Sequence, residues 1–119
     1  MRRGVRRRMV TDQIVWSDDI RYIDSNSERI STSGGVYMIL RNDGVKGYLS
    51  NVYAGKAKNL RDRFLEHLSD EEKNTCIKNN LKNKECYFRY TVIYNEVGRQ
   101  ELEDQLLRNG KYECNVQGQ

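Results

Sequence analysis

Residues 51–68 read NVYAGKAKNLRDRFLEHL, and this stretch joins a strand pattern to a helix pattern. Its first part, up to Gly55, is rich in residues that favour a strand. In its second part Leu60, Phe64 and Leu68 recur every four residues, which is the spacing of an amphipathic helix with one apolar face. The sequence therefore predicts a strand followed by a helix, with Gly55 turning the chain between them.

The same stretch concentrates side chains that bind anions or move protons: Tyr53, Lys56, Arg61, Arg63 and His67. His67 is the single histidine of the chain and lies four residues after Arg63, so both side chains belong to one helix face. That face can look back toward Tyr53 and, across a hairpin, toward Tyr37. Phenols beside cationic groups suit an anion, and a phosphate fits such a set best. Each residue alone has an ordinary structural explanation, and only their combination predicts a site.

Apolar runs and turn signals around this stretch predict the other elements. We expect strands over 35–42, 48–55 and 86–94, and helices over 59–68, about 69–82 and 99–109. The order β, β, α, α, β, α predicts an α+β fold, in which helices flank a small three-stranded, mainly antiparallel sheet.

Specific residues mark the bounds of these elements. Asp43-Gly44 is a hairpin signal, so the first two strands should be antiparallel neighbours. Asn59 is an expected helix cap, and Ser69 with Glu72 should cap the second helix. The third helix should turn Leu102, Leu106 and Leu107 inward and end at Gly110.

Positive charge is concentrated at the N-terminus. The segment MRRGVRRR holds five arginines, and without them the formal net charge of +4 becomes −1. Such an arm is typical of a contact with nucleic acid or another polyanion, although a misassigned start would produce the same pattern. We expect a flexible basic arm over 1–10, an extension over 11–33 that packs on the body as a strand or a short helix, and the main domain over 34–119.

Several protein classes are disfavoured by the sequence. No apolar run approaches the roughly 18 residues of a membrane span, and no hydrophobic segment of a secretory signal follows the basic N-terminus. Cys76, Cys86 and Cys114 are odd in number and widely spaced, which predicts buried free thiols rather than a zinc site or disulfides. Free thiols favour a reducing, cytoplasmic location.

Two short motifs in this chain resemble a known family. Gly35-Val36-Tyr37 and Tyr53-Ala54-Gly55 resemble the two half-motifs of the GIY-YIG nucleases, with Ala54 where isoleucine or valine is usual. The sequence VYAGKAKNLRDRF is similar to the nuclease domain of bacterial excision-repair incision proteins. The resemblance covers about residues 34–117.

Later residues match the family in order. Arg63 lies ten residues after the second tyrosine, and His67 follows four further on, as in phage homing endonucleases. Glu103 and Asn115 then occupy the places of the family's glutamate and asparagine, without the proline often found before the asparagine.

The resemblance implies metal-dependent hydrolysis of phosphodiester bonds in DNA, double-stranded or branched. It implies that Glu103 binds one Mg²⁺ or Mn²⁺ and that Arg63 clamps the scissile phosphate. Tyr37 is the expected general base and Tyr53 the residue that orients the water or the phosphate, with the two roles open to exchange. His67 would bond to a tyrosine or relay its proton.

Further residues are expected to assist. Lys56 and Arg61 would contribute to phosphate binding, and Asn115 would do so or fix Glu103 or a nearby backbone segment. Two alternatives stay open: a non-catalytic nucleic-acid-binding module that keeps the nuclease fold, and cleavage of both strands by a homodimer or by sequential cuts. An enzyme of this kind is expected inside the cell, associated with the nucleoid if bacterial or phage.

Overall fold

The structure, a computed structural model, describes residues 14–115 of the 119-residue chain. The arm predicted for residues 1–10, the start of the 11–33 extension and the last four residues lie outside the described residues. None of the described helices is long and apolar enough to cross a membrane.

The described residues form one mixed α+β unit. In chain order its elements are β1 (Ile20–Arg21), a 3-10 helix (Asp24–Arg29), β2 (Gly35–Asn42), β3 (Leu49–Ala57), α1 (Leu60–Leu68), α2 (Thr75–Asn83), β4 (Cys86–Val92) and α3 (Glu96–Asn109). The strands pair antiparallel in the order β1-β4-β2-β3. The predicted α+β class with an antiparallel sheet is confirmed, but a fourth strand, β1, joins the three that were predicted.

β2 is a central strand because apolar layers cover both of its faces. On one face Tyr37 and Ile39 pack in the larger core with Phe64 of α1. On the other face Met38 and Leu40 pack in a smaller cluster. This explains why β2 reads as a continuous apolar run rather than an alternating one.

The hairpin between β2 and β3 forms as its turn signal predicts. Gly44 and Gly47 have φ angles of +90° and +76°, in the left-handed region that glycine adopts without strain. The register is continuous from Gly35 opposite Ala57 to a bulge after Ile39, and it leaves β3 as an edge strand.

The segment before β2 contributes to the same core as the main domain. It contains both a short strand and a short 3-10 helix, the two forms that the sequence left open. The ring of Tyr22 stacks on Phe64 with centroids 4.3 Å apart, and its hydroxyl donates to the Phe64 carbonyl at 2.9 Å. Ile30 is only 1% exposed. Removing this segment would therefore uncover the apolar side of α1.

Two helices differ from their predicted bounds. α2 begins at Thr75 rather than near Ser69, because Asn74 provides the cap by accepting from the Ile77 N–H at 3.1 Å. Ser69 instead ends α1 and donates its hydroxyl to the Glu66 carbonyl.

The third helix also starts earlier than predicted. α3 begins at Glu96, since Asn95 caps it by accepting from the Gly98 N–H at 2.6 Å, and it ends before Gly110 as predicted. Leu102 is buried, but Leu107 is 37% exposed, so the prediction that Leu107 points inward was wrong.

The cysteine prediction was wrong for two of the three residues. Cys76 in α2 and Cys114 near the C-terminus form a disulfide, with Cα atoms 5.4 Å apart and a sequence separation of 38. Cys86 is a buried free thiol, as expected. Sequence spacing could not reveal the pair, because only the folded chain brings the C-terminal segment against α2.

Candidate active site

Two tyrosines and one histidine meet where α1 packs over β2 and β3. Tyr37 lies opposite Gly55 in the sheet, and Tyr53 lies opposite Ile39, so both rings rise from the same face. Their ring centroids are 6.0 Å apart, and each lies 5.7 Å from the imidazole of His67. The two half-motifs and the helix of the opening stretch therefore converge, as the sequence predicted.

His67 has a hydrogen-bond partner on each ring nitrogen. Its Nε2 lies 2.7 Å from the Tyr37 hydroxyl, and its Nδ1 lies 2.5 Å from the Glu72 carboxylate. Burial lowers the pKa of His67, against a smaller opposite effect of Glu72, so the imidazole is neutral at neutral pH. The contact with Glu72 was not foreseen, since the sequence assigned Glu72 to the cap of the second helix and not to His67.

Gly55 is an inner residue of β3, not a turn, and the prediction that it turns the chain was wrong. β3 runs two residues further, to Ala57, and the φ angle of Gly55 is not positive. A Cβ atom at Gly55 would lie 2.7 Å from the Tyr37 hydroxyl and 2.9 Å from Cε2 of Tyr53. Glycine is therefore required here because the two phenols occupy the space above its Cα.

Replacing Gly55 with alanine should displace both phenols at once. We expect a loss of about 1–3 kcal/mol in the free energy of unfolding, the usual cost of overpacking. Denaturant unfolding of the wild type and of Gly55→Ala measures this loss. A Gly55→Ala protein with wild-type stability would contradict the close packing of the two rings.

The two phenols differ in exposure. Tyr37 is fully buried, and burial raises its pKa well above the ordinary value, while the nearby Arg63 partly opposes that effect. Tyr53 is half-buried; burial and then the charge of Glu103 raise its pKa, whereas Arg63 lowers it. Tyr53 is thus the phenol that faces both solvent and the carboxylate of α3.

Arg63 is held at the mouth of the cluster. Its Nε donates to Glu66 at 2.9 Å, and its Nη1 donates to the Lys56 carbonyl at 3.3 Å. The side chain is 39% exposed, so solvent and a ligand can reach the guanidinium. Its charge lowers the pKa of Tyr37, Tyr53 and His67.

Glu103 approaches the same cluster from α3. Burial raises the pKa of its carboxyl, and the charge of Lys56 opposes this effect. The charge of Glu103 in turn raises the pKa of Tyr53. No hydrogen-bond donor to this carboxylate is found within residues 14–115, which leaves its oxygens available.

Lys56 contacts α3 instead of pointing freely into the site. It is a β3 residue rather than a turn residue, and its ammonium group bonds to Glu96 and Gln100, both at 2.7 Å. Its predicted phosphate contact would require these bonds to open. Its charge still lies near Glu103.

Arg61 does not join the cluster, in contrast to the prediction. Its Nε donates to the Ile30 carbonyl at 3.0 Å and its Nη2 to the Glu28 carbonyl at 3.3 Å. The helical period explains the difference, because a residue two positions before Arg63 lies on another face of α1. Arg61 therefore anchors the 3-10 helix and the chain after it.

Asn115 fixes the backbone next to Tyr53. Its amide oxygen accepts from the Ala54 N–H at 2.7 Å, and its amide nitrogen donates to the Ala54 carbonyl at 2.9 Å. Cys114 adds a backbone bond to Val52 at 2.7 Å. Of the roles predicted for Asn115, the structure contains the one in which it fixes a nearby backbone segment. These bonds also cover part of the open edge of β3.

Arg63 lines a groove that is formed by the end of β3, by α1 and by the start of α3. It has a volume of about 340 Å³, and its walls carry four cationic side chains, Lys56, Lys58, Arg63 and Arg99, together with three acidic ones. A larger concavity of about 570 Å³ lies at the β2–β3 loop and contains none of the predicted site residues. Size therefore does not identify the site, whereas the converging polar groups do.

A metal site in this cluster would depend on Glu103. Within the described part of the chain, no group of three or more His, Cys, Asp or Glu residues could enclose an ion. Mg²⁺, however, is commonly bound by one or two carboxylates, with waters and substrate phosphate as the other ligands. A half-buried carboxylate to which residues 14–115 supply no hydrogen-bond donor fits that requirement.

Comparison with known proteins agrees with this arrangement. The family model of the GIY-YIG catalytic domain matches residues 33–113, well over half of the chain. No curated protein and no solved structure matches the chain. The matched range contains Tyr37, Tyr53, Arg63, His67 and Glu103, and the chain belongs to the GIY-YIG family.

Proposed function

We propose that this protein is a metal-dependent endonuclease that hydrolyses phosphodiester bonds in DNA. Membership of the GIY-YIG family supports a nuclease-type function with DNA as the partner. The observation that carries the finer proposal is the meeting of Tyr53 of β3 with Arg63 and His67 of α1, and of Glu103 of α3, whose charge raises the pKa of Tyr53. Hydrolysis of a phosphodiester needs a base, a cation at the phosphate and a metal ligand, and this set contains one of each.

Arg63 would bind the scissile phosphate. Its guanidinium is exposed enough to meet a ligand, and Glu66 and the Lys56 carbonyl orient it. A planar guanidinium can donate two parallel bonds to phosphate oxygens and oppose the charge that grows on them during attack. The groove beside it would receive the neighbouring DNA backbone.

The different exposure of the two phenols favours Tyr53 over Tyr37 as the general base. The sequence had assigned this role to Tyr37 but left the two roles open to exchange. Tyr37 is fully buried and cannot touch a solvent water, whereas Tyr53 is half-buried and the charge of Glu103 acts on it. Tyr53 would therefore take the proton of the attacking water as its own proton moves to Tyr37. Tyr37 would pass its proton to His67, whose Nε2 lies 2.7 Å away.

Glu103 would hold the divalent ion, Mg²⁺ or Mn²⁺. When bound, such an ion neutralises charge on the phosphate and lowers the pKa of its water ligands. Asn115 would keep Tyr53 in place through the Ala54 backbone, and Lys56 would add positive charge near Glu103. These two residues act on the site without forming the phosphate clamp.

A cleavage assay separates this proposal from a non-catalytic DNA-binding module. We expect purified protein to nick or linearise plasmid DNA with millimolar Mg²⁺ and to leave it intact with EDTA. The control is the same protein with Tyr53→Phe, which keeps the ring and removes the hydroxyl. Binding without cleavage by the wild-type protein, across Mg²⁺ and Mn²⁺ and on duplex, nicked and branched DNA, would favour the binding module instead.

A further inference from the structure

Glu72 contacts His67 on the ring nitrogen opposite Tyr37. Its Oε1 lies 2.5 Å from Nδ1 of His67, and its Oε2 accepts the backbone N–H of Asn74 at 2.7 Å. The Glu72 side chain is 12% exposed and that of His67 is 7% exposed. Both carboxylate oxygens are therefore engaged, and the imidazole is held in one orientation.

This geometry determines which nitrogen of His67 carries the proton. An ionised carboxylate only accepts hydrogen bonds, so the proton of the neutral ring lies on Nδ1. Nε2 is then left with a lone pair, and the Tyr37 hydroxyl must be the donor across their 2.7 Å contact. With the other tautomer, Nε2 would present its own proton to Tyr37 and could not accept one.

We propose that Glu72 is a positioning residue that holds His67 ready to accept the Tyr37 proton and then stabilises the resulting imidazolium. The inference rests on the proposed nuclease function. The step balances: water gives a proton to Tyr53 while its oxygen forms the new bond to phosphorus, Tyr53 gives its own proton to Tyr37, and Tyr37 gives its own to Nε2. The bond from phosphorus to the leaving oxygen breaks, and solvent protonates that oxygen. Solvent removes the extra proton from His67 after the cut. The same division of roles between carboxylate, imidazole and hydroxyl operates in serine hydrolase triads.

A purely structural role for Glu72 is the competing explanation. Its bond to the Asn74 N–H supports the turn before α2, so truncation could loosen that turn. Glu72→Gln separates the two roles, because it keeps the length and one acceptor oxygen but removes the charge. Glu71→Gln is the matched control, since Glu71 is the preceding residue and is exposed.

The tautomer can be observed without any catalysis. Because the chain has one histidine, ¹⁵N-histidine NMR of the full chain without a histidine tag reports His67 alone. We expect the wild-type protein to show protonated Nδ1 and unprotonated Nε2, and Glu72→Ala to lose that preference. A wild-type ring protonated on Nε2, or an unchanged tautomer in Glu72→Ala, would overturn the proposal.

The pH dependence of cleavage supplies the functional readout. The charged and titratable groups that face His67 are Glu72, Arg63, Glu66, Tyr37 and Tyr53. Burial lowers the pKa of His67 and Glu72 raises it, so removing the Glu72 charge should lower that pKa further. In Glu72→Gln we expect the fall of the cleavage rate on the acid side of the pH profile, its acid limb, to move to lower pH. We also expect the plateau rate to fall about 100-fold, within the range of general base catalysis.

The outcomes are distinguishable. Cleavage by Glu72→Gln equal to that of Glu71→Gln at every pH would overturn the proposal. A loss of rate with an unmoved acid limb and a lower melting temperature would assign Glu72 to the turn alone, which also overturns it. If the wild-type protein cuts no DNA, the proposed function fails, while the NMR result still decides whether Glu72 sets the tautomer.

Discussion

Glu103→Gln is expected to abolish metal-dependent cleavage while leaving the protein at least as stable as the wild type. The neutral amide is a poor ligand for Mg²⁺, and losing several kcal/mol of charge stabilisation at the phosphate corresponds to a rate decrease of about 1000-fold. Stability should not fall, because burial raises the pKa of Glu103 and its charged form therefore opposes folding at neutral pH.

Because Glu103→Gln should not lower the stability, a loss of cleavage in this variant cannot be explained by unfolding. A carboxyl whose pKa is raised in the folded state destabilises the fold above that pKa, and glutamine removes this penalty. Melting temperature and cleavage rate at several Mg²⁺ concentrations measure the two effects together. Glu101→Gln is the matched control, since Glu101 is an exposed residue of the same helix and should change neither quantity. Full activity in Glu103→Gln would remove this residue from the metal site.

Arg63→Ala should produce the second largest loss. Removing one charged donor aimed at the developing charge of the transition state typically decreases the rate by 10²–10³, about 2.7–4 kcal/mol. The pKa of Tyr37 and that of Tyr53 should also rise further, because Arg63 lowers both. Arg63→Lys should recover only part of the rate, since an ammonium group cannot form the two-point contact.

Arg61→Ala provides the control for this prediction. Arg61 lies in the same helix and carries the same charge, but its guanidinium bonds to the carbonyls of Ile30 and Glu28. We expect Arg61→Ala to lower the melting temperature and to keep cleavage near the wild-type rate. Single-turnover rates with saturating DNA make the comparison independent of affinity. Equal losses of rate in both variants would mean that charge, rather than position, explains the effect of Arg63.

Local periodicity explains how much of the fold was predictable. The run from Gly35 to Asn42, the four-residue spacing of Leu60, Phe64 and Leu68, and the Asp43-Gly44 turn each define one element through nearby residues alone. The errors occurred where two local signals competed. Asn74 replaced Ser69 as the cap of α2, for example, because both residue types can cap a helix and tertiary packing chose between them.

Long-range contacts explain what could not be predicted. The disulfide joins residues 38 apart, and the backbone bonds of Asn115 to Ala54 span 61 positions. Neither leaves a local pattern. The two tyrosines of the half-motifs were recognised from sequence, yet only packing shows that Tyr37 is fully buried and that Tyr53 is half-buried.

The sequence by itself determined the element order from β2 onward, the helix face that carries Arg63 and His67, and the family to which the chain belongs. Only the tertiary structure shows that nearby residues of the same type have different roles. Arg61 anchors the N-terminal segment, whereas Arg63 faces the site. Glu72, rather than Glu71, contacts His67. It also decided that Gly55 provides room for two phenols instead of a turn. The physical reason is that spacing along a chain sets only the direction of a side chain, whereas its role depends on partners brought by distant segments.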